Sequence, residues 1–128
     1  MNQASTKNDT LNVMEPLKRL PARFYRSDAG REPAREWLKR QQPEDRKAIG
    51  EDIKDVEYSW PNGMPLVRSI GQGLSEVRST LTVGRIARVL FCTGKNCMVL
   101  LHGFIKTTQK TPRNEIELAL TRMKGTGK

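Results

Sequence analysis

Residues 97–115 read "CMVLLHGFIKTTQKTPRNE". From Cys97 to Ile105 the run is apolar on both alternating faces, as expected of a β-strand covered on both sides. It ends at Lys106, and KTTQKTP (106–112) follows as a polar loop. Thr111 and Pro112 then open a helix, with threonine as N-cap and proline at the first helical position. Ile116, Ala119, Leu120 and Met123 fall on one face of that helix. Glu115 comes one residue late for a strict capping box. Three cations, Lys106, Lys110 and Arg113, gather where the apolar strand emerges, which suits the holding of a phosphate backbone.

Working back from this stretch, RIARVLFC (85–92) alternates as a strand. Ile86, Arg88 and Leu90 lie on one side of it, Ala87, Val89 and Phe91 on the other. GLSEVRSTL (73–81) alternates likewise, with Leu74, Glu76, Arg78 and Thr80 opposed to Ser75, Val77, Ser79 and Leu81. PLVRSI (65–70) is a further short strand, and turns are expected at Gly84 and over TGKN (93–96). In the first half RFYR (23–26) reads as a short strand and residues 31–41 as a helix, with Ala34, Trp37, Leu38 and Gln41 on one face. Pro43 opens a second helix, its Glu44 and Asp45 matched to the positive end of the helix dipole. Ile49, Ile53, Val56 and Trp60 form its apolar stripe, and WPNG (60–63) stops it. Trp37 and Trp60 sit at core spacing and need no ligand. Residues 1–20 are an N-terminal extension, disordered or a short helix carrying Leu11, Met14 and Leu17; residues 21–128 form the domain. The expected fold is α+β: a small antiparallel sheet with two N-terminal helices packed on it and a C-terminal helix.

The chain has 128 residues, one domain's worth, and a formal charge of +9. Residues 1–65 carry 12 Lys/Arg against 11 Asp/Glu, whereas residues 66–128 carry 11 against 3. A positive field so segregated favours a polyanion: RNA, DNA, an anionic surface or an acidic protein. A membrane is the weakest of these, because no apolar run approaches the ~20 residues of a spanning helix. The first ten residues lack the apolar core of a secretory signal, so a cytoplasmic location is expected. Cys92 and Cys97 flank the TGKN turn; in a reducing compartment they read as two small buried thiols rather than a disulfide. The single histidine argues against a metal site.

Adjacent strands run ~4.8 Å apart, so Arg78, Arg88 and Lys106 on neighbouring strands can converge on one concave face. Such a cluster holds a phosphate and stabilises charge growing on it. Lys110 and Arg113 stand at the rim as RNA-binding candidates, beside a helix N-terminus. Arg85 lies on the opposite face of its strand from Arg88 and, taken alone, reads as solvated or ion-paired. His102, a lone histidine on an apolar strand, reads as packed and satisfied before it reads as catalytic. RNA carries its own nucleophile, the 2′-hydroxyl, and its cleavage needs alignment, proton transfer and cations. A pair of catalytic histidines is excluded here. A lysine–arginine cluster remains, with Lys106 or His102 handling protons and Arg78 and Arg88 stabilising charge.

GLSEVR, GRIARVLF and VLLHGFIKTTQKTPRNEIELALTRM together resemble the HigB-like, phage-derived branch of the RelE/ParE toxin superfamily over about residues 22–124. The last run is the most specific. The resemblance implies the toxin of a type II toxin–antitoxin pair, a metal-free and cofactor-free endoribonuclease that cleaves mRNA on the ribosome and so inhibits translation. By the same resemblance Arg78 contacts the scissile phosphate, Arg88 is its neighbour-strand companion, and Lys106 is the acid or phosphate clamp. Arg85, Lys110 and Arg113 then belong to the RNA-binding surface. Ser75 stands where the family pattern has tyrosine, Thr107 where it has a second lysine, and Phe91 where it has a hydroxylated aromatic. The implied partners are mRNA, the ribosome and a cognate helix-turn-helix antitoxin. Two rival readings share the fold: a ParE-like inhibitor of gyrase, and an inactive nucleic-acid-binding homologue.

Overall fold

The computed structural model describes residues 17–126. Its elements are β1 (Ala22–Phe24), α1 (Pro33–Lys39), α2 (Pro43–Ser59), β2 (Val67–Gly71), β3 (Leu74–Thr80), β4 (Ile86–Thr93), β5 (Met98–Lys106) and α3 (Arg113–Lys124). The expected helical turn at Leu11 and Met14, and the expected disorder of residues 1–10, lie outside the described residues. Leu17 is exposed, but Leu20 is already in the core. The backbone N–H groups of Arg19 and Leu20 donate to the Glu57 carbonyl at the end of α2.

The α+β architecture follows the periodicities. Strands β2 to β5 form an antiparallel meander in a sheet ordered β1-β5-β4-β3-β2. β1 departs from the all-antiparallel expectation: it pairs parallel to β5, Ala22 opposite Met98 and Phe24 opposite Leu100. The two helices carry the chain away before the meander begins, and this leaves the outer edge of β5 for β1.

The alternation read in β3 and β4 divides the core in two. Val77, Ala87, Val89 and Phe91 face α1 and α2, packing with Ala34, Ile49, Ile53 and Val56. Leu74, Leu90 and Cys92 face α3, packing with Leu101, Phe104 and Ala119. Ile49 and Val56 are fully buried, and each such side chain contributes roughly 1.5–3 kcal/mol. Trp60 closes the stripe of α2 edge-on against Phe91, with ring centroids 5.7 Å apart. β5 is covered on both sides, as its sequence requires. Its phase shifts midway: the register slips between Leu90 and Phe91, so Leu90 faces His102 while Phe91 faces Leu100. The extra residue, Leu101, packs on the α3 side, and His102 also reaches α3. Beyond it Gly103 accepts the Trp37 ring of α1 so closely that a Cβ there would overlap it.

The start of α3 corrects a second expectation. Pro112, not Thr111, is the N-cap residue, and no side chain caps the helix. Thr111 is buried and turns its hydroxyl to Glu76 on β3 instead. Glu115 reaches back to His102. Cys92 and Cys97 are free thiols, the first buried and the second half-buried. Burial pushes the Cys92 thiol up from its ordinary pKa.

Candidate functional site

The α3-facing side of the meander carries an arginine on each of three consecutive strands: Arg68 on β2, Arg78 on β3 and Arg88 on β4. Arg78 and Arg88 are cross-strand partners, and Arg68 faces Glu76. One buried carboxylate serves this group. Glu76 is fully buried, accepts from Arg78 Nη1 at 2.6 Å and accepts from the Thr111 hydroxyl at 2.6 Å.

The loop from Lys106 to Thr111 crosses over the arginines and meets them with backbone oxygens. Arg78 Nη2 donates to the Gln109 carbonyl at 3.3 Å and to Gln109 Oε1 at 3.1 Å. Arg68 Nη1 donates to the same carbonyl at 3.4 Å, and Arg88 Nη2 donates to the Thr108 carbonyl. Arg88 is sealed from solvent, with its guanidinium 5.6 Å from the centroid of the Phe104 ring. Among the described residues its Nε and Nη1 have no partner. Burial, and after it the neighbouring Arg78 charge, pull Arg88 below the ordinary arginine range. Keeping a cation in such a place with two donors unspent is costly. Sites that bind or stabilise anions tolerate that cost because it preorganises the charge.

A cleft of about 550 Å³ opens beside Arg78. Its lining combines apolar Met64, Leu66 and Ile86 with polar Asp52, Thr80, Arg78 and Gln109. It lies where β3 outruns its partner: β2 begins at Val67, opposite Val77, so Ser79 and Thr80 have no β2 residue facing them.

Of the residues named from sequence, Arg78 lines the cleft and Arg88 lies under the loop behind it. Lys106 is exposed at the end of β5, opposite Ile86, and Ile86 lines the cleft. Lys110 and Arg113 are exposed, Arg113 with a loose i,i+4 pair to Glu117 at 3.3 Å. The other two stand apart. Arg85 is held by Asp45 of α2 at 2.8 and 3.1 Å, and this pairing draws the Asp45 carboxyl below its usual range. His102 has both ring nitrogens engaged by α3, Nε2 with Glu115 at 2.6 Å and Nδ1 with Arg122 at 3.4 Å. Its ring stacks on Phe104. Arg85 and His102 therefore brace helices against the sheet. Arg68 and Asp52 were missed. An arginine on each of the three consecutive strands β2, β3 and β4 signals the first, whereas Asp52 reaches the cleft only through the tertiary fold.

Among the described residues no group of three His, Cys, Asp or Glu is placed to hold a metal ion, and no helix is long and apolar enough to cross a membrane. The architecture is compatible with a RelE-like fold. No curated protein matches the chain. Residues 36–124, from α1 through α3, match the family described as phage derived protein Gp49-like (DUF891). Most of the chain lies inside that match, including Arg68, Arg78, Arg88 and the loop over them, and the chain belongs to this Gp49-like family, which is associated with RelE- and HigB-like toxins.

Proposed function

We propose that this protein is the toxin of a type II toxin–antitoxin system, a HigB-like endoribonuclease that cleaves mRNA on the ribosome. The observation that carries the reading is the cross-strand pair Arg78 and Arg88 beside an open cleft, in a half of the chain with few carboxylates. The 2′-hydroxyl of the bound strand attacks the adjacent phosphorus and the bond to the 5′-oxygen breaks. The 2′-hydroxyl proton passes to water, and Lys106 protonates the departing oxygen. Arg78 bears the charge that builds on the phosphoryl oxygens, and Arg88 reinforces it from a dry site. Lys110 and Arg113 guide the backbone toward the cleft. The protein works in the cytoplasm, and a helix-turn-helix antitoxin with an acidic segment silences it by folding over the basic half.

The test is induced expression in cells without the antitoxin, with mapping of mRNA 5′ ends. Growth arrest with cuts inside translated messages is expected, and Arg78→Ala should relieve both. Intact messages in the presence of folded protein would overturn the ribonuclease reading. Intact messages together with DNA-damage signalling would select the gyrase-directed alternative.

A further inference from the structure

The cleft beside Arg78 has a chemistry that phosphate binding alone does not use. It is partly apolar, through Met64, Leu66 and Ile86, and its volume of about 550 Å³ exceeds what one phosphate fills. Asp52 contributes a carboxylate to a lining that otherwise carries the positive Arg78. Among the described residues that carboxylate has no ion-pair partner within 4.0 Å, unlike Asp45, which is paired with Arg85. A third feature is backbone. The Arg78 N–H donates to the Leu66 carbonyl at 2.8 Å, on the β2 side of β3. Strand alternation points the N–H and C=O of Thr80 to that same side. No residue of β2 stands opposite Thr80, so this piece of sheet edge faces the cleft that Thr80 lines.

From these groups we infer that the cleft is a nucleobase pocket selective for guanine, with Asp52 as the selecting residue. The inference rests on the RNA-cleaving reading and names the base that sits next to the phosphate held by Arg78. Apolar walls accept the faces of a flat heterocycle. A carboxylate is an acceptor with no proton to give, and guanine is the RNA base whose pairing edge offers two adjacent donors, N1–H and the 2-amino group. The Thr80 N–H is available to its O6. Adenine and cytosine would set a ring-nitrogen lone pair against the carboxylate, and uracil would set a carbonyl oxygen there.

The test measures binding of the four nucleoside 3′-monophosphates to the full chain by calorimetry, with Asp52→Asn and Asp52→Ala beside the parent. Guanosine 3′-monophosphate should bind about tenfold tighter than the other three, the discrimination of one bidentate pair. Both variants should lose that preference while still binding all four equally through the phosphate. Asp52 is a half-buried helix residue, and thermal melts confirm that each variant is folded. Equal binding of the four nucleotides by the parent, no binding of any, or a guanine preference that survives Asp52→Ala overturns the pocket. Failure of the parent reading looks different: guanine preference intact and lost on Asp52→Ala, with no RNA cut in cells or on ribosomes.

Discussion

Arg78 and Arg88 face each other directly across the β3–β4 ladder, and among the described residues Glu76 is the one carboxylate bonded to the pair, to Arg78 at 2.6 Å. Like charges opposite one another destabilise a sheet. The arrangement therefore depends on Glu76 and on the loop carbonyls that accept from both guanidiniums.

Replacing Glu76 should expose that dependence. Glu76→Ala leaves Arg78 and Thr111 without their shared partner in a buried site, and removing one member of such a pair costs about 3–5 kcal/mol. Glu76→Gln keeps the acceptor for Thr111 and should lose less. Urea denaturation reads both. A Glu76→Ala protein within ~1 kcal/mol of the parent would mean that the arginines find water readily.

Arg88 should behave in the opposite way. It is sealed, and among the described residues it has no carboxylate partner of its own and no partner for Nε and Nη1. Arg88→Met replaces the cation with an apolar side chain of similar reach against Phe104. Stability should stay level or rise by about 1–4 kcal/mol, as when buried charges give way to hydrophobes. Toxicity and RNA cleavage should fall. Marked destabilisation of Arg88→Met would make the cation a structural strut.

The Asp45–Arg85 pair gives a pH signature. Hydrogen bonds from Arg85 hold the Asp45 carboxyl below its usual range, against opposing desolvation. The unfolded chain thus takes up that proton at a higher pH than the folded one. The stabilisation is complete above the ordinary aspartate pKa near 4 and is lost as pH falls through the folded value. Asp45→Asn should melt below the parent at pH 7, and the gap should narrow steadily as the pH falls below about 4. Parallel melting curves at all pH values would show the pair to be inert.

Gly103 and Trp37 are coupled by contact. A methyl at position 103 would overlap the indole, so Gly103→Ala must displace α1 and should cost roughly 1–3 kcal/mol. Trp37→Leu alone is destabilising, but in combination with Gly103→Ala it should recover part of the loss. Strict additivity in the double-mutant cycle would contradict the close approach.

Lys110 and Arg113 should act through charge alone. Each phosphate contact to a single strand contributes ~0.7 to the salt slope of binding. Lys110→Ala and Arg113→Ala should each flatten the slope by about that amount for any RNA sequence, read by fluorescence anisotropy between low and physiological salt. An unchanged slope would place the strand elsewhere.

Periodicity carried most of the fold because β3 and β4 alternate cleanly and β5 does not alternate at all. Arg78 and Arg88 fell on one face for the same reason. What stayed hidden depends on partners distant in sequence. Thr111 looks like a cap until Glu76, 35 residues earlier, is found to take its hydroxyl. β1 carries no mark of a parallel partner. The cleft exists because β2 starts at Val67 and stops short of Thr80, and no local pattern in either strand encodes that offset. The loop over Arg68, Arg78 and Arg88 is polar in sequence, and its hold on them is through backbone oxygens that every residue has.

The parallel placement of β1 has a consequence for synthesis. Ala22 leaves the ribosome early, yet its ladder partner is Met98. The first strand must wait, unpaired, until nearly the whole polypeptide has emerged, and closing so long a loop slows the final docking step. Translation itself thus postpones completion of the five-stranded sheet until the last quarter of the chain has been made.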